Sequence, residues 1–196
     1  MDEHIPAIVN AWYPGESGGK AVAEVLFGDY NPGGRLPLTY YKSLKDLPDF
    51  NDYDITKGRT YQYFKGDVLY PFGYGLSYTT FKYSNLQISD GLNEILVSFQ
   101  LKNTGKYAGD EVAQIYVQLP SRNEIMPIKE LKGFRRITLK KGEEQEITIK
   151  LRKDLLRYWD ETQGKFLHPS GTYTIMVGAS SADIRLQQPL TIDMNQ

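Results

Sequence analysis

The 196-residue chain has no cysteine. Disulfide staples and thiolate chemistry are excluded, although an extracytoplasmic location is not, because a chain of this length can bury a core without a covalent staple. Histidine is nearly missing as well. His4 and His168 stand far apart with no ligand spacing around either, so both read as surface or hydrogen-bonded polar positions. An excess of either charge is lacking: 23 basic and 24 acidic residues leave a net charge of −1, without the electrostatic footprint that nucleic acid or an anionic membrane would require. No apolar run reaches membrane-spanning length, and no basic-then-apolar signal segment opens the chain. What is present, at 40% hydrophobic and 24% charged, is an ordinary globular composition with room for one large domain or two small ones.

Two halves differ in period. Ile5, Ile8, Val9 and Trp12 fall at i, i+3, i+4 and i+7, which predicts a short helix over residues 5–12 with Pro6 in its first turn and Trp12 in a core. Tyr13-Pro14-Gly15 stops it. Ser17 is placed to cap a second helix whose buried side is Ala21, Val22, Val25 and Leu26, and Gly28 is placed to end it. Asn31-Pro32-Gly33-Gly34 is a turn, residues 36–41 read as a strand, and residues 42–67 read as loop. After about Lys82 the period becomes two. Ile95, Val97, Phe99 and Leu101 share one face; so do Ala113, Ile115, Val117 and Leu119; Ile147, Ile149 and Leu151; and Tyr173, Ile175 and Val177, with Leu186, Leu190 and Ile192 as a last strand. About seven such strands between Gly, Asn and Pro turns predict an antiparallel sandwich with Phe99 and Trp159 as core anchors.

Between the halves lies Val-Leu-Tyr-Pro-Phe-Gly-Tyr-Gly-Leu-Ser-Tyr-Thr-Thr-Phe, residues 68–81, where aromatics alternate with Pro71, Gly73 and Gly75. Gly and Pro punctuate the backbone while the rings supply area to bury, so the segment reads as an ordered joint between two packed bodies, with Phe72 in its core. This wording resembles the end of the second domain of family 3 glycoside hydrolases, the β-glucosidase and β-xylosidase group. Residues 11–37, Ala-Trp-Tyr-Pro-Gly-Glu-Ser-Gly-Gly through Gly-Asp-Tyr-Asn-Pro-Gly-Gly-Arg-Leu-Pro, carry the same resemblance. So do Lys-Glu-Leu-Lys-Gly-Phe at 129–134 and the later Tyr158-Trp159-Asp160.

The resemblance implies a mixed fold. A C-terminal remnant of an α/β sandwich domain (1–67) is followed by the aromatic linker (68–81) and an all-β, fibronectin type III-like (immunoglobulin-like) sandwich (82–196). It covers only the C-terminal part of such an enzyme, with Met1 as a truncation boundary. The upstream catalytic domains would be its partners and a β-linked oligosaccharide the ligand of the whole enzyme. That enzyme is often exported in bacteria, to the periplasm or beyond. The expected role of the present piece is structural: bracing the domain that presents the acid/base.

Retaining hydrolysis of a glycoside needs two carboxylates about 5–5.5 Å apart. In the resembling family the nucleophile is an aspartate of the N-terminal barrel, and the acid/base is usually a glutamate upstream of the stretch matching residues 11–37. Neither position occurs in this chain, so no catalytic residue is carried over, and no cofactor or metal is implied. Gly15-Glu16-Ser17-Gly18-Gly19 satisfies the Gly-x-Ser-x-Gly elbow of serine hydrolases, with His168 as the one downstream base. The elbow requires a strand before the serine, and here a helical period ends in Pro14; a helix cap is the favoured reading. Asp49, Asp52 and Asp54 suggest the start of a calcium loop, but the glycine at position six and the closing glutamate are missing, which favours a solvated acidic loop.

The aromatics crowd into residues 50–83. Tyr53, Tyr61, Tyr63, Tyr70 and Tyr74 could stack on sugar, making a stand-alone carbohydrate-binding module, or could glue the two bodies together. Gly/Pro spacing beside a boundary favours glue, and Arg59 is expected to stack on a ring or pair with a loop aspartate.

Overall fold

The computed structural model describes residues 4–122 and 125–193, so the truncation expected at Met1 lies outside the described residues. In the first half, α1 (Gly18–Phe27) is followed by β1 (Tyr40–Tyr41), a one-turn α2 (Thr60–Tyr63) and β2 (Val68–Tyr70). The second half carries β3 (Phe81–Asp90), β4 (Glu94–Asn103), β5 (Gly109–Gln118), β6 (Glu130–Leu139), β7 (Glu144–Arg152), β8 (Tyr158–Asp160), β9 (Lys165–Leu167), β10 (Gly171–Gly178) and β11 (Ile184–Ile192).

Two sheets stack. One is four-stranded in the order β11-β10-β5-β6, the other three-stranded in the order β3-β4-β7, and neighbouring strands pair antiparallel. The alternating residues read from the sequence meet between them: Ile95, Val97, Phe99 and Leu101 from β4, Ala113, Ile115 and Val117 from β5, Ile147, Ile149 and Leu151 from β7, Tyr173, Ile175 and Val177 from β10. Each fully buried aliphatic or aromatic side chain contributes roughly 1.5–3 kcal/mol, so this layer holds the molecule together. Two strands escape a periodicity count. In β3 a bulge between Ser84 and Gln87, with Asn85 at φ 56°, breaks the alternation. In β6 the edge position leaves Phe134, Arg135 and Arg136 facing solvent.

Three expectations fail in the first half. Residues 7–12 form neither helix nor strand, and no backbone-to-backbone hydrogen bond joins them to another described residue. Eight residues cannot sustain a helix without packing, and here the apolar side chains stay about half exposed while Asn10 reaches the Tyr40 hydroxyl at 3.3 Å. Trp12 is accordingly not a core residue: it is 52% exposed, at φ 52°, with its amide held by Asn10. Ser17 precedes α1 without making a side-chain cap, and on the side expected to be buried Ala21 and Leu26 are exposed while Val22 and Val25 are half-buried; Gly28 does end the helix at φ 85°. The strand over 36–41 shrinks to the two residues of β1, paired with β2.

Trp159 is the fourth correction. The β8–β9 hairpin is a separate two-stranded piece outside both sheets. Its period-two alternation turns Tyr158 and Asp160 inward and leaves Trp159 51% exposed, so the anchor at this place is Tyr158.

Candidate functional site: the joint and the aromatic band

The segments 30–36 and 61–80 lie on the β5–β6 side of the sandwich, tied by hydrogen bonds of high sequence separation. Asn31 is a hub. Its Oδ1 accepts from the Tyr78 amide at 2.8 Å and from Ser77 Oγ at 2.9 Å, while its Nδ2 donates to the Ala108 carbonyl at 2.9 Å. The Leu36 amide donates to Tyr74 O and the Gly73 amide to Leu36 O, each at 2.8 Å, so the two segments pair with one another before they meet the sandwich. Tyr30 and the Asp110 carboxylate both receive donors from Arg136. Desolvation pushes the Asp110 carboxyl upward, but the Thr138 hydroxyl and the Arg136 guanidinium outweigh it and hold the group below its ordinary value.

Beneath this layer Arg35 meets Glu111 at 2.8 Å, with side chains only 9% and 6% exposed. Glu111 Oε1 also accepts the Val112 amide, and Arg35 Nη1 donates to the Gly34 carbonyl. Charges this deeply buried persist when paired and hydrogen-bonded. Next to them, Gln114 on β5 ties three pieces of chain together. Its Nε2 donates to Ala179 O at 2.6 Å and Gly73 O at 3.1 Å, and its Oε1 accepts from the Tyr116 hydroxyl at 2.6 Å. Gly73 sits at φ 82°, and an added Cβ there would fall 2.1 Å from Gln114 Oε1. Glycine is thus required for both conformation and close approach.

The aromatic band is mostly turned onto protein. Tyr61 stacks on Phe72 at 4.5 Å and 20°, stands edge-on to the fully buried Tyr116 at 5.8 Å, and accepts the Leu131 amide with its hydroxyl. Tyr70 stacks on Tyr74 at 5.4 Å, Tyr40 stands edge-on to Tyr70, and Tyr41 edge-on to Phe64. Burial pushes the Tyr61 and Tyr63 hydroxyls up, with Glu130 adding to the effect in both. Tyr53 stands apart, 83% exposed on the acidic loop. In the sandwich, Phe99 is 1% exposed and stacks on Tyr83.

The acidic loop satisfies itself. Asp49, Asp52 and Asp54 each accept the amide two residues on, and Lys57 Nζ lies 2.7 Å from Asp52 Oδ2. The Lys57 bond first, then the Asp54 amide, holds the Asp52 carboxyl low, and Thr56 does the same for Asp54. Among the described residues Arg59 neither stacks on a ring nor pairs with a carboxylate; its Nη2 donates to the Asp49 and Asp52 carbonyls and braces the loop from inside. Among the described residues no group of three or more His, Asp or Glu side chains could hold a metal ion. Ser17 and His168 are not brought together: His168 Nδ1 faces the Leu156 carbonyl at 3.2 Å, at the far end of the sandwich from α1.

Sandwich, joint and a first half of few elements define the class: an all-β module with an α/β piece clasped to its β5–β6 side. Residues 1–78 match the glycosyl hydrolase family 3 C-terminal domain, and residues 111–181 match the fibronectin type III-like domain. The chain belongs to the C-terminal region of glycosyl hydrolase family 3. It is 45% identical over 194 residues to a xylan 1,4-beta-xylosidase of Xylanibacter ruminicola, covering 98% of this chain and 22% of that protein. It is 37% identical to a periplasmic beta-glucosidase of Salmonella typhimurium, covering 94% of this chain and 26% of that one. A crystal structure of beta-glucosidase from Kluyveromyces marxianus in complex with glucose superposes with a TM-score of 0.87 at 37% identity, over 93% of this chain and 24% of the other. The chain thus spans about a quarter of the length of the relatives it matches.

Proposed function

We propose that this chain is the structural C-terminal part of a retaining, exo-acting β-glycosidase acting on β-glucosides or β-xylosides. In this reading residues 1–67 finish the α/β domain, 68–81 form the joint, and 82–196 form the fibronectin type III-like brace. The observation that carries the proposal is the one-sided finish of the molecule. The joint is densely bonded to the sandwich through Asn31, Arg35 and Gln114. The opposite side of the first half presents Ile8, Val9, Trp12, Leu26 and Phe27 to solvent.

An apolar segment at residues 7–12 with no backbone-to-backbone hydrogen bond to another described residue, followed by a loop and an amphipathic helix, has the form of a strand and helix awaiting a sheet. The upstream catalytic domains supply that sheet, and the sandwich holds its edge in place. The domain presenting the acid/base is thereby braced by a body with its own core. Two rival roles find no support in the geometry. Tyr61, Tyr70 and Tyr74 each give a ring face to a protein neighbour, which argues against a sugar platform built from them. His168, the base that Ser17 would need, meets the Leu156 carbonyl instead.

The test is a chromogenic β-glucoside and β-xyloside assay on the 196-residue chain beside a form extended through the upstream domains. Turnover is expected only from the extended form, because a positioned nucleophile and a tuned acid/base each contribute orders of magnitude. Turnover by the 196-residue chain that disappears on Asp52→Asn or Asp54→Asn would place an active site in the acidic loop and end the proposal.

A further inference from the structure

The end of the sandwich remote from α1 carries a feature that the joint reaches at one edge only, where the Tyr61 hydroxyl accepts the Leu131 amide. Where β6 begins and the β8–β9 hairpin crosses, a depression of about 350 Å³ is lined by Glu130, Lys132, Leu155, Arg157 and Phe166 among others. The Glu130–Lys132 ion pair, 3.1 Å apart with side chains 23% and 14% exposed, forms its half-buried floor. Arg157 lies over the Phe166 ring, 4.2 Å from its centroid, with no acidic partner in hydrogen-bond contact among the described residues. Trp159 is paired across the hairpin with Phe166 and stands edge-on to it at 5.2 Å, so both rings, each 51% exposed, form a lip beside the depression.

We propose that this notch is a secondary binding site for a neutral pyranose unit of an oligosaccharide. The exposed Trp159 face takes the C–H face of a sugar ring, as aromatic rings take apolar surface. Sugar hydroxyls are both donors and acceptors. They are the neutral groups that can use the Glu130 carboxylate together with the Lys132 ammonium and the Arg157 fork. Glu130 and Lys132 neutralise one another, which leaves the Arg157 fork free to donate to sugar hydroxyls, and an extended apolar ligand would leave the ion pair desolvated without a partner. Asn31, Arg35 and Arg136 fasten the joint around the start of β5 and the end of β6, and Tyr61 reaches the Leu131 amide at the rim of the notch, whereas Arg157 and the Trp159–Phe166 lip make no hydrogen bond to the joint among the described residues. The inference goes beyond the bracing role and does not depend on it.

The experiment is a titration of the 196-residue chain with xylohexaose and, separately, cellohexaose, read by amide chemical shifts. Saturable shifts confined to residues 130–132 and 155–167 are expected with at least one of the two sugars. Trp159→Ala and Arg157→Gln should each weaken binding on the order of tenfold, about 1.4 kcal/mol. Both side chains are solvent-exposed, so unchanged thermal unfolding verifies the fold of each variant; if one fails this check, the other decides. Tyr107→Ala, at the opposite end, should leave binding as it was. No saturable shift from either sugar, shifts centred elsewhere, or equal affinity in both folded variants would overturn the proposal. So would tighter binding of glucuronic acid than of either hexasaccharide. None of these outcomes touches the chromogenic glycoside assay, so the two proposals fail separately.

Discussion

The Arg35–Glu111 pair offers the sharpest test of how the two halves are joined. Both side chains are nearly buried, the N···O distance is 2.8 Å, and Glu111 Oε1 also holds the Val112 amide. Glu111→Leu removes the carboxylate and leaves the guanidinium in a low-dielectric place with only the Gly34 carbonyl for company. Breaking one side of a buried pair costs about 3–5 kcal/mol, whereas replacing both sides with apolar groups of similar size is often neutral. For a domain of this size that loss lowers Tm by roughly 6–20 °C. Arg35→Met should cost a similar amount. The double variant should recover most of the loss, giving a coupling energy of about 2 kcal/mol or more in a double-mutant cycle. Urea denaturation of the four proteins, followed by tryptophan fluorescence and far-UV circular dichroism together, measures this. Additive single effects, or a Glu111→Leu loss below about 1 kcal/mol, would show that the pair is solvated and that the joint is not fastened here.

Gly73→Ala should destabilise the joint by about 1–2 kcal/mol from its left-handed backbone alone, with a further loss because Gln114 is held by several partners and cannot step aside; denaturant midpoints report it. Burial raises the Tyr173 hydroxyl to about 12 and raises Tyr83 and Tyr116 further. The unfolded chain releases these protons near pH 10 and the native chain keeps them, so stability is full below pH 10 and falls as pH rises from there toward 12 and beyond. Absorbance at 295 nm should show these phenols ionising only with unfolding, and free titration near pH 10 in the folded state would refute the burial. Phe99→Ala should cost about 3–5 kcal/mol, while Trp159→Ala, on the exposed hairpin lip, should stay within about 1 kcal/mol; comparable large losses in thermal melts would return Trp159 to the core. Limited proteolysis should cut first within residues 42–67 and leave a resistant piece beginning between about Tyr78 and Asn85; a resistant piece spanning 1–80 would reverse that division.

The sandwich strands were legible because their cause is local. Ile95, Val97, Phe99 and Leu101 alternate without interruption, and a strand buried on one face has to be written that way. The Gly, Pro and aromatic wording of residues 68–81 was legible, for the same local reason, as a punctuated segment with ring area to bury. Residues 5–12 misled because i, i+3, i+4, i+7 over only eight positions does not separate a helix from an irregular apolar segment, and residues 7–12 form no regular element. Trp159 misled by one residue of phase: composition says that a tryptophan can be buried, but only the pairing of Trp159 with Phe166 on a separate hairpin decides which way it points. The Arg35–Glu111 and Gln114–Gly73 contacts join residues 76 and 41 positions apart. No window of sequence contains both partners, so only the folded backbone could choose them. The sequence therefore determined the periodic elements and the character of the joint, because propensity and burial pattern act over a few residues. The tertiary structure decided which ring, charge and glycine meet, because those energies exist only once distant segments touch.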